Sequence, residues 1–185
     1  MIEAVGPPLL REPQPDPFSA LVRSIVYQQL AGRAAAAILQ RFLTTLPEGL
    51  SPEAVLALPL EVLRQAGLSG AKAASIVDLA TKVGDGTVPL ADAESLSDEA
   101  LITRLASVRG IGRWTAEMFL IFHLRRPDIW PVDDLGVRKG YAKAHGLSAL
   151  PPPKALLELG EVYRPWRTVA AWYCWRAVET VLPDG

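Results

Sequence analysis

The 185-residue sequence predicts an all-α protein folded as two helical lobes. Three observations predict it. Apolar residues recur at helical spacing, as at Phe18, Leu21, Val22, Ile25 and Val26. Prolines, glycines and capping residues cut the chain into segments of helical length. No useful stretch alternates apolar and polar residues with the period a half-buried strand requires.

Taken in order, residues 1–16 form a proline-rich, extended lead-in without a domain of its own. Asp16 is an N-cap candidate and Pro17 opens the first helix. Gly32 marks a break, and residues 34–43 form a second helix with Ala37, Ile38 and Phe42 on or near its buried face. Ser51-Pro52-Glu53 is a start signal, with Ser51 the cap, and a further helix begins after Pro59. Residues 68–72 turn into a helix over 71–83, buried through Ile76, Leu79 and Ala80 and ended by Gly84, Gly86 and Pro89. Residues 87–90 suit a brief extended piece. Ser97, with Asp98 and Glu99, caps a helix to about Ser107. Residues 134–145 form a helix despite Gly136 and Gly140. Prolines 151–153 lead into a helix over 154–159, and Pro165 begins a last helix, 166–182. The whole comprises about ten helices, with the central lobe at about 33–130 and the second lobe built from 17–32 plus 134–185.

Half of the residues are hydrophobic, so the chain is globular, and its net charge of −1 does not advertise a nucleic-acid partner. The distribution is uneven. Residues 1–100 carry 7 Lys/Arg against 12 Asp/Glu, and residues 101–185 carry 12 against 8. The basic excess therefore sits in the C-terminal part, as a local electrostatic footprint requires. Cys174 is the one cysteine, which excludes an intrachain disulfide and a cysteine-held zinc or iron–sulfur site. His123 and His145 make no ligand cluster, and no cofactor is implied. Arg11 and Glu12 interrupt any secretory core, and no apolar run reaches membrane-spanning length. The expected location is the cytoplasm, with no membrane partner and no obligate protein partner.

The chain is organised around residues 105–138. Val108 to Arg113 is a corner turned by Gly110 and Gly112, Trp114 to Leu124 is a mostly apolar helical run, and Pro131 leads to Asp133 and Asp134 at another helix start. Glycines at such a corner serve an ordinary helix–helix turn, or an NH-rich cradle for phosphate. Asp133 and Asp134 suit an N-cap with a solvated neighbour, or a pair of functional acids. Tyr27-Gln28-Gln29 likewise suits plain surface polarity, or amides presented to bases.

Gly110-Ile111-Gly112-Arg113-Trp114-Thr115-Ala116, with Asp134 twenty positions after Trp114, resembles the helix–hairpin–helix base-excision DNA glycosylases of the alkylation-repair subgroup. Further similar stretches are Ser24 to Gln29, Gly67 to Ala73, and Arg164-Pro165-Trp166-Arg167 with Trp175. Together they span roughly 17–182, with the helix–hairpin–helix at about 98–124. A lone GxG is weak; the ordered set is specific.

The resemblance implies a two-lobed helical glycosylase fold and a duplex DNA substrate carrying a damaged base. It assigns Asp134 as the catalytic carboxylate. It assigns Val108, Arg109, Gly110, Ile111, Gly112 and Arg113 to the phosphate-holding hairpin, with a monovalent cation at the backbone of Val108 and Gly110. Trp114 and Trp175, with Tyr27, border the base pocket, where Met118 replaces an aromatic and gives a softer wall. Gln29, beside Gln28, enters the gap left by a flipped nucleotide. Lys72, Arg109, Arg113, Arg138 and Lys139 are candidates for charge contacts to DNA, with Arg113 first among them because it lies in the hairpin. Bifunctional relatives carry a lysine nucleophile where this chain has Trp114, so hydrolysis that leaves an abasic site is expected, without lyase activity. The cysteine cluster of some relatives is absent, and residues 1–16 leave no room for the β-rich N-terminal domain of others.

Chemistry alone permits the same reading. A base within a duplex must leave the stack before its glycosidic bond is reachable. N3 or N7 methylation makes a purine cationic and a better leaving group. A carboxylate then stabilises the cation-like sugar and handles the attacking water, either acid being chemically competent, with Asp133 suited to capping the helix. A tryptophan face attracts a cationic base by about 1–2 kcal/mol when desolvated. Trp166 and Trp172 are better assigned to filling grooves between helices. The alternatives are a glycosylase for deaminated or etheno-adducted bases, and a non-catalytic helix–hairpin–helix DNA-binding module.

Overall fold

The computed structural model describes residues 5–9 and 16–179. Among them are ten α-helices and two short 3-10 helices, and no strand. They divide into two compact units, one holding residues 16–119 and the other residues 5–9 and 120–179. Most of the proline-rich lead-in, and the tail of the last helix beyond 179, lie outside the described residues.

The first unit contains α1 (Pro17–Tyr27), α2 (Gly32–Thr44), α3 (Pro52–Ala57), α4 (Leu60–Gln65), α5 (Gly70–Gly84) and α6 (Asp98–Ala106). It also contains most of α7 (Arg113–Phe122). The anticipated caps are in place: Asp16 Oδ1 accepts from Phe18 N at 2.9 Å, Ser51 Oγ from Ala54 N at 3.1 Å and Ser97 Oγ from Ala100 N at 3.3 Å. Each such cap is worth about 1 kcal/mol. The apolar stripe of α1 is fully buried, and α1 packs on α2 and α5. Residues 17–32 therefore belong with this unit, and not with 134–185 as the sequence reading had it. The stripe is matched by Ala35, Phe42, Ile76 and Leu79, all inaccessible to solvent. Residues 87–90 are no extended piece: Val88 folds back on Lys82 O at 2.8 Å and Leu90 opens a 3-10 helix (Leu90–Ser95).

The second unit is built on α8 (Leu135–Ala144) and α10 (Arg167–Glu179), with α9 (Pro153–Leu159) and a 3-10 turn (Glu161–Tyr163) beside them. Its core holds Trp130, Val137, Tyr141, Leu156, Ala171 and Cys174. Trp130 donates its indole N–H to Leu156 O at 2.8 Å. A Cβ on Gly140 would lie 1.8 Å from the backbone oxygen of Cys174, so α8 and α10 meet backbone to backbone. Tyr173 donates its hydroxyl to Gly6 O at 2.9 Å, which brings the described N-terminal residues into this unit. The unit starts at 120, earlier than expected, because the end of α7 and Trp130 pack here. Trp166 does not fill a groove: it is 61% exposed, whereas Trp172 is half-buried with its ring edge-on to Tyr173.

Candidate active site

The hairpin joins α6 to α7 through residues 107–112. Gly110 has φ +76°, a left-handed conformation that a side chain would strain, and its missing Cβ would lie 2.6 Å from Ser75 Oγ. The turn is closed by Ile111 N on Val108 O at 3.0 Å, with both side chains buried. Helix α5 braces it. Asp78 Oδ2 accepts from Arg109 N at 2.7 Å and from Lys82 Nζ at 2.9 Å. Burial works to raise the Asp78 pKa, but these two donors outweigh it and hold the carboxyl below its ordinary value. Among the described residues the N–H groups of Gly110 and Gly112 have no protein acceptor, and the first turn of α7 follows at once. This is a backbone fit to receive a phosphate.

The side chains of the hairpin behave differently from expectation. Arg113 was expected to face DNA, yet its guanidinium forks onto Glu99 with two contacts of 2.8 Å and its Nε reaches Glu117 Oε1 at 3.0 Å. The Glu99 hydrogen bond raises its pKa, and Glu117 adds to that. Glu117 is only 3% exposed, so Arg113 neutralises a buried carboxylate and ties α6 to α7. The Arg113 side chain remains 49% exposed. The carbonyls of the expected cation site each accept one hydrogen bond within the protein, Val108 O from Ile111 N at 3.0 Å and Gly110 O from Gln28 Nε2 at 2.9 Å.

The loop after α1 presents the two glutamines. Gln28 is held by that bond to the hairpin, while Gln29 is exposed with φ +56°, unusual for a residue with a side chain. Lys72 Nζ donates to Val26 O and Gln28 O, each at 2.8 Å, and burial lowers its pKa. Tyr27 carries Arg23 over its ring at 3.9 Å from the centroid. That contact takes one face of the ring expected to border the base pocket.

Trp114 stands 46% exposed at the start of α7, and Met118, one turn on, is half-buried. Phe122 continues the same helix face at the next i+4 step, a position the sequence reading passed over. It stacks on Trp175 at 5.5 Å, with 26° between the rings. Its signal was the apolar 114/118/122 spacing.

Asp134, and not Asp133, is the N-cap of α8. Its Oδ1 accepts from Val137 N at 2.8 Å and from Trp175 Nε1 at 2.9 Å, while Asp133 is exposed. Gly136 makes room: a Cβ there would lie 2.8 Å from Trp175 Cδ1 and 3.0 Å from Asp134 Oδ1. Arg138 is partly used by Pro151 O at 3.0 Å, whereas Arg109 and Lys139 are exposed. Among the described residues no group of His, Cys, Asp or Glu is placed to hold a metal ion, and no helix is long and apolar enough to cross a membrane.

Comparison with known proteins places these features. The family model of the HhH-GPD superfamily base excision DNA repair proteins matches residues 22–165. DNA-3-methyladenine glycosylase 1 of Schizosaccharomyces pombe is 41% identical over 164 residues, covering 87% of this chain and 72% of that one. The solved structure of the S. pombe 3-methyladenine DNA glycosylase with abasic DNA superimposes with a TM-score of 0.80 at 38% identity, over 97% of this chain and 89% of that chain. The DNA-3-methyladenine glycosidase of Bacillus halodurans gives 0.90 at 37% identity, over 97% and 82%.

Proposed function

The chain belongs to the HhH-GPD superfamily of base excision DNA repair proteins, and on that footing we propose that it is a monofunctional DNA glycosylase. Its substrates are alkylated purines such as 3-methyladenine in duplex DNA, and its products are the free base and an abasic site. The observation that carries the reading is the carboxylate of Asp134, fixed at a helix start by Val137 N and Trp175 Nε1, in a chain whose preceding hairpin offers unpaired backbone N–H groups.

In this mechanism the hairpin amides of Gly110 and Gly112 hold a backbone phosphate and set the register without reading sequence. Gln29 occupies the space of the displaced nucleotide and exchanges hydrogen bonds with the orphaned base. The exposed face of Trp114 receives the cationic base. As the C1′–N bond breaks, its electron pair leaves with the base and neutralises the methylated ring. The Asp134 carboxylate faces the positive charge that grows on the sugar. Water then bonds to C1′ and gives its proton to that carboxylate. Two donors on one Asp134 oxygen restrict rotation of the carboxylate, so little reorganisation is needed as charge develops. Trp114 occupies the place where a lysine nucleophile would make the enzyme a lyase. Such work is done on chromosomal DNA, which in a prokaryotic host would place the protein with the nucleoid in the cytoplasm.

The test is single-turnover release of free base from methylated duplex DNA by the native protein and D134N, both folded and DNA-binding. Release of methylated purines without strand cleavage, abolished in D134N, is expected. Tight binding without release would overturn the enzymatic reading in favour of a binding module.

A further inference from the structure

Lys72 lies on α5, far in sequence from the loop it serves, and its ammonium is spent on two backbone carbonyls. Val26 O belongs to the last turn of α1 and Gln28 O to its C-cap residue, 46 and 44 positions away. One cation thus closes the C-terminal end of α1, where the helix dipole is negative. Residue 29 follows at once in the left-handed conformation, while the side chain of Gln28 is tied to Gly110 O. Partial burial lowers the Lys72 pKa.

We propose that Lys72 is a positioning residue for lesion extrusion: together with Gln28 it clamps the α1–α2 loop so that Gln29 is presented, preformed, to the gap in the duplex. This rests on the glycosylase reading and deepens it. Holding an exposed, non-glycine residue at positive φ is unfavourable, and such conformations persist only where the surroundings over-determine them. Two carbonyl bonds from Lys72 and one amide bond from Gln28 supply that constraint. The alternative role for a lysine near DNA is a phosphate contact, and the two roles predict different measurements.

The experiment uses the full chain and two duplexes carrying the same methylated purine. In one the lesion is paired; in the other it sits in a one-nucleotide bulge, where no gap opens and nothing needs filling. K72M is expected to release base from the paired lesion roughly tenfold more slowly, as Q29A does, because the unstacking cost is no longer offset. Both variants should match the native rate on the bulge, and K72M should add nothing to Q29A in the double variant. The dependence of log Kd on log salt should be unchanged.

Equal slowing of K72M on both substrates, or a salt slope shallower by about one, would overturn the clamp in favour of a general structural role or a phosphate contact. A native-like K72M on the paired lesion would also overturn it. If K72M does not fold, K72Q removes the charge while keeping a polar head, and the same outcomes apply to it. Failure of the glycosylase reading itself would be separate: the native protein would release no base from either duplex.

Discussion

The indole N–H of Trp175 reaches Asp134 Oδ1 at 2.9 Å, joining two residues 41 positions apart. Tryptophan is thereby more than an aromatic wall. W175F keeps an aromatic, though smaller, ring beside Phe122 and deletes the donor. If Asp134 is the catalytic carboxylate proposed above, loss of one oriented hydrogen bond to it is expected to lower the single-turnover rate by roughly tenfold, with Kd for DNA nearly unchanged. Tenfold weaker binding at an unchanged rate would show that the ring, and not the N–H, is what matters.

The two adjacent acids should separate cleanly. Asp134 caps α8 and receives Trp175, whereas Asp133 is exposed. D134N should cut base release by about a hundredfold or more, the scale on which preorganised electrostatic groups act. Asparagine still caps a helix, so the thermal midpoint should hold. D133N should release base at the native rate; comparable losses in both variants would sink the assignment.

Legibility in the sequence followed distance along the chain. Helices, caps at Asp16, Ser51 and Ser97, the glycine corner at 110 and the helix start at Asp134 are local signals, and they were read correctly. The partners of cations were not legible. Arg113 and Lys72 look the same in sequence whether they face DNA or the protein; Glu117, four residues on, is a local partner of Arg113, but Glu99 lies 14 residues away and the carbonyls that hold Lys72 lie 44–46 away. The same holds for Gly136 and Gly140, which lower helix propensity and read as weaknesses until α10 is laid against them. Lobe membership of α1 failed likewise, because an apolar stripe states that a face is buried, not against what.

Gly140 admits no side chain. Its added Cβ would collide with backbone at Cys174, which cannot rotate away as a side chain can. G140A is expected to cost about 3 kcal/mol, the upper end of overpacking costs, by forcing α8 and α10 apart. Urea unfolding measures it, and a cost below about 1 kcal/mol would show that the contact relaxes freely. G136A meets only the Trp175 ring edge and Asp134 Oδ1, so its expected effect is on base release more than on stability.

Arg113 should behave as a brace. R113Q removes the Arg113 ion pair from Glu117, which is 3% exposed, yet the arginine is itself half exposed and solvent screens part of the pair. A loss of about 1–2 kcal/mol follows. The slope of log Kd against log salt should stay native, since no phosphate contact is removed. A slope shallower by about one would return Arg113 to the DNA surface.

Asp78 makes the hairpin sensitive to acid. Burial works to raise its pKa, but the Arg109 N–H and Lys82 hold it below its ordinary 3.8. A folded pKa below the unfolded one contributes stability that is fully present above the unfolded value and lost as pH falls through the folded one. The stability difference between native protein and D78N should therefore be constant from about pH 7 to about pH 5, and shrink steadily below about pH 4. Urea titrations across that range measure it. Asparagine keeps an oxygen for Arg109 N but loses the ion pair to Lys82, so D78N should also weaken DNA binding at neutral pH, where the native carboxylate is ionised. A difference that grew on acidification would mean that the protonated form of Asp78 is the one the hairpin prefers, and would remove this carboxylate as its anchor.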